Sequence, residues 1–345
     1  MTQSRIRSIA IIGSGISGLT VGNLVRETGL DPVLFEKARG PGGRVSSKRL
    51  SGDFLDMGAQ YFTVRKPEFR SFLDRYAAGA IKPWQGRFLH ENEQGEMEPF
   101  PGEARWVGAS RMSALSRALA QPLTIEAATP VRRAWQRNDQ WYLDSDKGQY
   151  GPYDALVAAT PPAQARALLP TVPEAGKRLR EFAMSPCWAV AARFGQDPGL
   201  DFEGASLKSP VLDWVARNSS KPGREDYQKH GSWWVLHATP SWSTENLEMA
   251  PDEVARQLLA AFRNQFAIEA APVQWVAHCW RYARPATGNE PPGSVSLDDH
   301  RLGFCGDWLA GGRVEGAFSS GLSLVRHWAQ LGLIPAAVPE GGRNE

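Results

Sequence analysis

Apolar positions in this chain form continuous runs near its start, helical spacing near its end and a looser alternation between. Ile9-Ala10-Ile11-Ile12 is unbroken, the pattern of a strand buried on both faces. It feeds Gly13-Ser14-Gly15-Ile16-Ser17-Gly18, and a second run, Pro32-Val33-Leu34-Phe35, stops at Glu36-Lys37. At the far end Val314, Ala317, Phe318, Gly321, Leu322, Val325 and Trp328 recur at helical spacing, which predicts a long amphipathic helix. Shorter helices are expected near 68–76, 111–119 and 251–266. Short strands are expected at 123–125, near Val131 and at 141–143, with Asn138-Asp139 and Lys147-Gly148 as turns. A buried strand over 154–159 is stopped by Pro161-Pro162, which cannot continue a ladder. Residues 63–104 lose periodicity and read as an excursion with one helix. Candidate strands then fall at 188–194, 211–215, 233–237 and 273–278.

The glycines of the first loop have distinct tasks. Gly13 permits the turn off the strand, Gly15 lets a diphosphate approach the backbone, and Gly18 lets the helix lie against the sheet. The helix N-terminus then faces the phosphates with unpaired N–H groups and the positive end of its dipole. Glu36 ends the second strand where a ribose diol needs an acceptor. Gly42-Gly43-Arg44 is a second glycine turn with a fixed cation, a further phosphate grip that favours FAD over NAD. Gly58-Ala59 could let backbone near a planar ring, with Gln60 as donor and acceptor, although a buried turn explains the glycine equally well. Gly306-Asp307 closes a short strand. The small residues after it let a helix N-terminus point at an acceptor that gains negative charge.

With 345 residues and 42% apolar content the chain can bury a sizeable core, as two domains or one elaborated one. Lys+Arg 39 against Asp+Glu 37, with no long basic run, argues against nucleic acid or a charged membrane as partner. No uninterrupted apolar stretch is long enough to span a bilayer. The early apolar run is punctured by glycine and lacks a cleavage pattern, so a strand is expected there and not a secretory leader. Cys187, Cys279 and Cys305 are scattered. They read as core thiols of a soluble cytoplasmic protein without a metal site. Tryptophans between 214 and 280 could pack a core or wall a flat ligand.

Together, Gly13/Gly15/Gly18, Glu36, Gly42-Gly43-Arg44, Gly306-Asp307 and Glu315-Gly316-Ala317 resemble the flavin-dependent amine oxidase superfamily. The resemblance implies an α/β fold: a Rossmann-type FAD domain of p-hydroxybenzoate-hydroxylase-like topology, with a second, mixed-sheet substrate domain. The FAD domain is expected to be discontinuous, over 1–62, 105–163 and 296–334. The substrate domain would take 63–104 and 164–295, with a flexible tail at 335–345. Implied cofactor contacts are Gly13, Gly15, Ile16, Ser17, Gly18, Glu36, Lys37, Gly43, Arg44, Gly58, Ala59, Gln60, Val131, Thr160, Gly306, Asp307, Val314, Glu315, Gly316 and Ala317. No cysteine follows Gly306-Asp307, so noncovalent FAD is expected. Many amine oxidases hold a lysine-bound water at flavin N5; here Lys208 and Lys221 are the lysines left for that position.

Within the superfamily, residues 56–62, 237–243 and 280–285 resemble the bacterial renalases. That resemblance implies oxidation of the 2- and 6-dihydro isomers of NAD(P), with hydride passing to flavin N5 and O2 reoxidising it to H2O2. The partners are then a dihydronicotinamide dinucleotide and O2, and the protein a monomer or weak homo-oligomer. Candidate substrate residues are Gln60, Trp234 and Trp280 as walls, Tyr61 and Tyr282 on the carboxamide, and Arg281 or Arg284 on the phosphates. His237 is either a structural histidine or a site residue. The rival readings are an amine oxidase and a non-catalytic FAD-binding protein, with a carotenoid-type desaturase weaker still.

Overall fold

A computed structural model of the chain describes residues 5–100, 102–225, 227, 231–286 and 291–336. It forms two compact units. The first comprises Met1–Gly43, Ser116–Ala183 and Pro285–Glu345, and the second Arg44–Leu115 and Met184–Arg284. Residues 44–62 and 105–115 thus fold with the second unit, and residues 164–183 and 285–295 with the first. Most of the tail expected at 335–345 lies outside the described residues.

The first unit is built on a six-stranded sheet, in the order Val295–Leu297, Leu302–Phe304, Ala155–Ala158, Ile9–Ile12, Val33–Phe35, Thr124–Glu126. All pairings are parallel except that of the edge strand Val295–Leu297. Central position explains the unbroken apolar run: every residue of Ile9–Ile12 is buried. The helices Ile16–Glu27 and Val314–Gln330 pack closely, since a Cβ on Gly321 would lie 2.9 Å from Ser17 O and 3.0 Å from Thr20 Cβ. A three-stranded antiparallel sheet (Val131–Arg137, Gln140–Ser145, Gly148–Tyr153) turns at Asn138-Asp139, both at positive φ. Pro162–Leu168 and Pro173–Leu179 are short helices that hydrophobic spacing did not predict. Each opens on a proline, whose missing N–H is harmless in the first turn.

The second unit carries a seven-stranded sheet in the order Pro272–Pro285, Met184–Phe194, Ser232–Ala238, Leu212–Arg217, Gly204–Ser206, Phe88–Glu91, Met97–Pro99. Residues 63–104 hold the expected helix, Pro67–Tyr76, but also the strands Ile81–Pro83, Phe88–Glu91 and Met97–Pro99. Strands this short complete too few alternations to be read from a sequence. Ser232–Ala238 divides its side chains by the period of two. Trp234, Leu236 and Ala238 join a core with Val254, Leu258 and Phe262 of the helix Pro251–Gln265, while Trp233 and Val235 pack with Leu55 and Met57 on the other face. That second face holds the segment from Asp56 to Gln60.

Candidate functional site

In the first unit the glycine loop has the geometry its sequence requires. Gly13 stands at φ 103°, where a side chain would strain the backbone, and its N–H donates to Phe35 O at 2.9 Å. A Cβ on Gly18 would fall 2.0 Å from Gly13 O, so the helix can lie this close only without a side chain there. Gly15 caps the helix with no side-chain bond, and a Cβ built on it meets nothing within 4 Å. The space before the first-turn N–H groups is therefore open. A Cβ built on Gly43, at φ 53°, would lie 3.6 Å from the Gly15 Cα.

Glu36 is buried against this loop. Its Oε2 accepts from the Ser14 N–H at 3.0 Å and hydroxyl at 2.7 Å, and its Oε1 from the Ala38 N–H at 2.8 Å. The acid thus holds the loop in shape as well as offering lone pairs to a ribose. Lys37, its neighbour, is exposed, and Val131 is half-buried at a strand start. Thr160 lies beside Gly13, and its Oγ1 is buried without a hydrogen-bond partner. Open space at Gly15, a helix N-terminus without a side-chain cap and an orphaned hydroxyl fit a bound dinucleotide.

At the other end of this unit Ser320 Oγ accepts from the Gly306 N–H at 2.9 Å, and Asp307 and Glu315 are buried. A Cβ on Gly316 would lie 2.3 Å from Ala310 O, so the first turn of Val314–Gln330 is pressed onto the preceding loop. Cys305 is buried and free, its thiol pushed up to about 12 by burial.

In the second unit the expected phosphate-gripping Arg44 donates from Nη1 to Ala283 O at 2.9 Å, and its carbonyl accepts from the Ala59 N–H at 3.0 Å. Gly58 is required by contact: a Cβ there would be 2.0 Å from Arg44 O and 3.3 Å from the Trp280 ring. Met57 O accepts from Trp280 Nε1 at 3.0 Å and lies 3.0 Å from His237 Nε2, so that nitrogen carries the proton. Burial lowers His237 to about 4, against the raising effect of the Met57 carbonyl, and the ring is neutral near pH 7.

Beneath Gln60 lies a buried charge cluster that the sequence did not announce. Asp56 Oδ1 accepts from Ser47 Oγ at 2.7 Å and the Met112 N–H at 2.9 Å, while Oδ2 takes Lys221 Nζ at 3.2 Å and Arg224 Nη2. All three charged side chains are fully buried. Burial alone would raise the Asp56 carboxyl, but Arg224, Lys221 and the hydrogen bonds outweigh it and hold the acid well below the usual carboxylate range. Lys221 is lowered to about 8, first by burial and then by Arg224, with Asp56 opposing. Lys221 also donates to Gln60 Oε1 at 3.2 Å, which fixes the amide so that Nε2 donates to Asp56 O and, at 3.0 Å, to Gly58 O. Residues 219–224 read in sequence as a solvated Ser-Ser-Lys-Pro-Gly-Arg loop, and no local pattern marks them as buried.

Several substrate-side expectations change. Trp234 is a correction: it is fully buried among Phe202 and Phe262, on the opposite sheet face from His237, because positions 234 and 237 differ in strand parity. Arg281 is spent on a two-toothed pair with Glu248, and Arg284 on Asp213 at 2.8 Å. Gln60, His237 and Trp280 do come together around Met57 and Gly58. Tyr61 packs on Trp214 with ring centres 5.5 Å apart, and Tyr282 is half-buried on the edge strand. Of the two lysines considered, Lys208 is exposed with Glu93, and Lys221 is the buried one.

Comparison with known proteins agrees with this geometry. Residues 11–76 match the NAD(P)-binding Rossmann-like domain, and residues 84–327 the flavin containing amine oxidoreductase family. Hydroxyneurosporene desaturase of Rubrivivax gelatinosus is 38% identical over 61 residues, which are 18% of this chain and 12% of the desaturase; the chain spans only this small part of that relative. A provisionally assigned protoporphyrinogen oxidase from Exiguobacterium sp. 255-15 superposes with a TM-score of 0.73 at 14% identity, covering 95% of this chain and 99% of that one. Putrescine oxidase bound to putrescine does so with a TM-score of 0.72 at 14% identity, over 94% and 99%. At these identities the two structures establish the fold. The family match spans most of the chain, and the protein belongs to the flavin containing amine oxidoreductases, with FAD as its cofactor.

Proposed function

We propose that this protein oxidises the 2- and 6-dihydro isomers of NAD(P), with O2 as the final acceptor. The observation that carries this reading is charge: beside Gln60, one buried carboxylate, Asp56, faces two buried cations, Lys221 and Arg224. A substrate ammonium is repelled by such an excess, whereas a neutral dihydropyridine carried on an anionic dinucleotide is not. When bound, FAD would supply the hydride acceptor at N5, and its reoxidation by O2 would yield H2O2 with one proton taken from solvent.

Loss of hydride converts the dihydropyridine into a pyridinium without removal of a proton, so the task of the chain is alignment and exclusion of water. Trp280 offers a flat wall whose indole is pinned by Met57 O, and Gln60 presents an amide fixed by Lys221. His237 is held neutral and serves to orient. On the cofactor side the residues proposed to hold FAD without a covalent bond are those of the Gly13–Gly18 loop, Glu36, Gly43, Arg44, Thr160, Asp307 and the turn from Val314 to Ala317. The protein is proposed to work in the cytoplasm as a monomer or weak homo-oligomer. Among the described residues no helix is long and apolar enough to cross a membrane.

A second reading, oxidation of an amine, is favoured by the family and by the buried position of Lys221. Anaerobic titration separates the two. Borohydride-generated dihydro-NAD isomers should bleach the flavin absorbance, and putrescine or spermidine should not. Bleaching by amines alone reverses the order, and bleaching by neither favours a non-catalytic flavoprotein.

A further inference from the structure

Among the described residues Arg105 is a cation without a counter-charge. Its guanidinium carbon lies 4.2 Å from the Phe88 ring centre, 5.0 Å from Phe100 and 5.4 Å from Tyr61. Its hydrogen bonding is poor: Nη2 reaches Phe100 O at 3.4 Å, and Nε is buried with no partner. Among the described residues no carboxylate pairs with it. The acid nearest in sequence, Glu103, is engaged by Arg65 at 2.7 and 2.8 Å. Two more unpaired buried atoms belong to the same aromatic group: Trp214 Nε1, on a ring 5.5 Å from Tyr61 and 6.5 Å from Phe100, and His90 Nδ1, on a ring 5.7 Å from Phe100.

Buried donors are nearly always satisfied, and an arginine carries a planar fork suited to oxyanions. Three rings stand close to the guanidinium, and its Nε finds no acceptor. Tyr61 directly follows Gln60 in the chain. We propose that Arg105 anchors an oxyanion of the substrate, a phosphate or a carboxylate, while Tyr61 and Trp214 face its flat portion. For a dihydronicotinamide dinucleotide, the substrate given above, the oxyanion is the diphosphate, and to that extent the assignment rests on that reading.

The test uses the FAD-loaded protein and titrates NAD+, coproporphyrin and putrescine against intrinsic tryptophan fluorescence. NAD+ carries the diphosphate, coproporphyrin carboxylates only, and putrescine neither. Arg105→Gln should weaken the oxyanion ligand by about tenfold to a hundredfold, the range for a lost charge-assisted hydrogen bond. The melting temperature and flavin spectrum should stay at the wild-type values. In turnover the loss should appear in KM for isomeric dihydro-NAD and be under about twofold for the isomeric dihydro-1-methylnicotinamide, which has no phosphate. Arg105→Lys, which keeps the charge without the fork, should fall between; it also serves if the glutamine variant does not fold. Equal affinity in wild type and both variants, no oxyanion binding by wild type, or equal losses on the full and truncated substrates each overturn the proposal. Arg105-dependent binding of coproporphyrin without oxidation of any dihydronicotinamide keeps the anchor and rejects the substrate proposed above.

Discussion

Two buried acids, Glu36 in the first unit and Asp56 in the second, are held by opposite kinds of partner. Glu36 is surrounded by backbone N–H groups and one hydroxyl, neutral donors that leave lone pairs for a ligand. Asp56 is surrounded by full charges, Arg224 and Lys221, with Ser47 and the Met112 N–H filling the remaining positions. Removing the first loosens a loop. Removing the second strands two cations in the interior, where an unpaired charge costs far more than a lost hydrogen bond.

The largest expected effect is therefore from Asp56→Asn. Stability should fall by about 3–5 kcal/mol, the cost of breaking a buried pair. Urea unfolding followed by tryptophan fluorescence measures it, and a loss under 1 kcal/mol would remove the distinction between the two acids. Next comes the pH dependence of the same cluster. Lys221 holds its proton less tightly when folded, near about 8, than at its ordinary 10.5 when unfolded. The unfolded chain therefore binds more protons across that window, and stability rises with pH between about 8 and 10.5, by on the order of 3 kcal/mol. Lys221→Met should flatten that rise and, because Lys221 also helps hold the Asp56 carboxyl down, move the Asp56 part of the acid limb to higher pH. On that limb His237, lowered to about 4, makes stability rise with pH from about 4 to 6.5, and Asp56 loses its contribution as pH falls through its depressed range. A slope unchanged in Lys221→Met means that the lysine is not the group responsible. The smallest effect is from Glu36→Gln, about 1–2 kcal/mol for replacing charge-assisted bonds to the loop. Its clearer signature is FAD release during gel filtration.

The same contrast explains what the sequence disclosed. The Gly13–Gly18 loop, its flanking strands and the helix Val314–Gln330 are short-range patterns, legible because each residue's task depends on its immediate neighbours. The Asp56 cluster joins residues 47, 56, 112, 218, 221 and 224, and nothing near Lys221 marks it as buried. Trp234 was misjudged because a tryptophan-rich strand looks alike on both faces until its parity relative to His237 is fixed. Arg281 and Arg284 were assigned to phosphates on proximity to an aromatic motif, whereas Glu248 and Asp213, far away in sequence, claim them. Arg105 had no such pattern, because a missing counter-charge can be recognised only in three dimensions.

The contact of Gly321 with Ser17 and Thr20 has a bearing on how the protein is made. The helix proposed to present N–H groups to the diphosphate leaves the ribosome long before the surface it leans on. The strand Leu302–Phe304, likewise, joins a sheet whose central strand was synthesised long before it. The proposed FAD site is therefore complete only once the later helix, Val314–Gln330, has been made, and nascent chains halted before residue 314 should emerge without pigment.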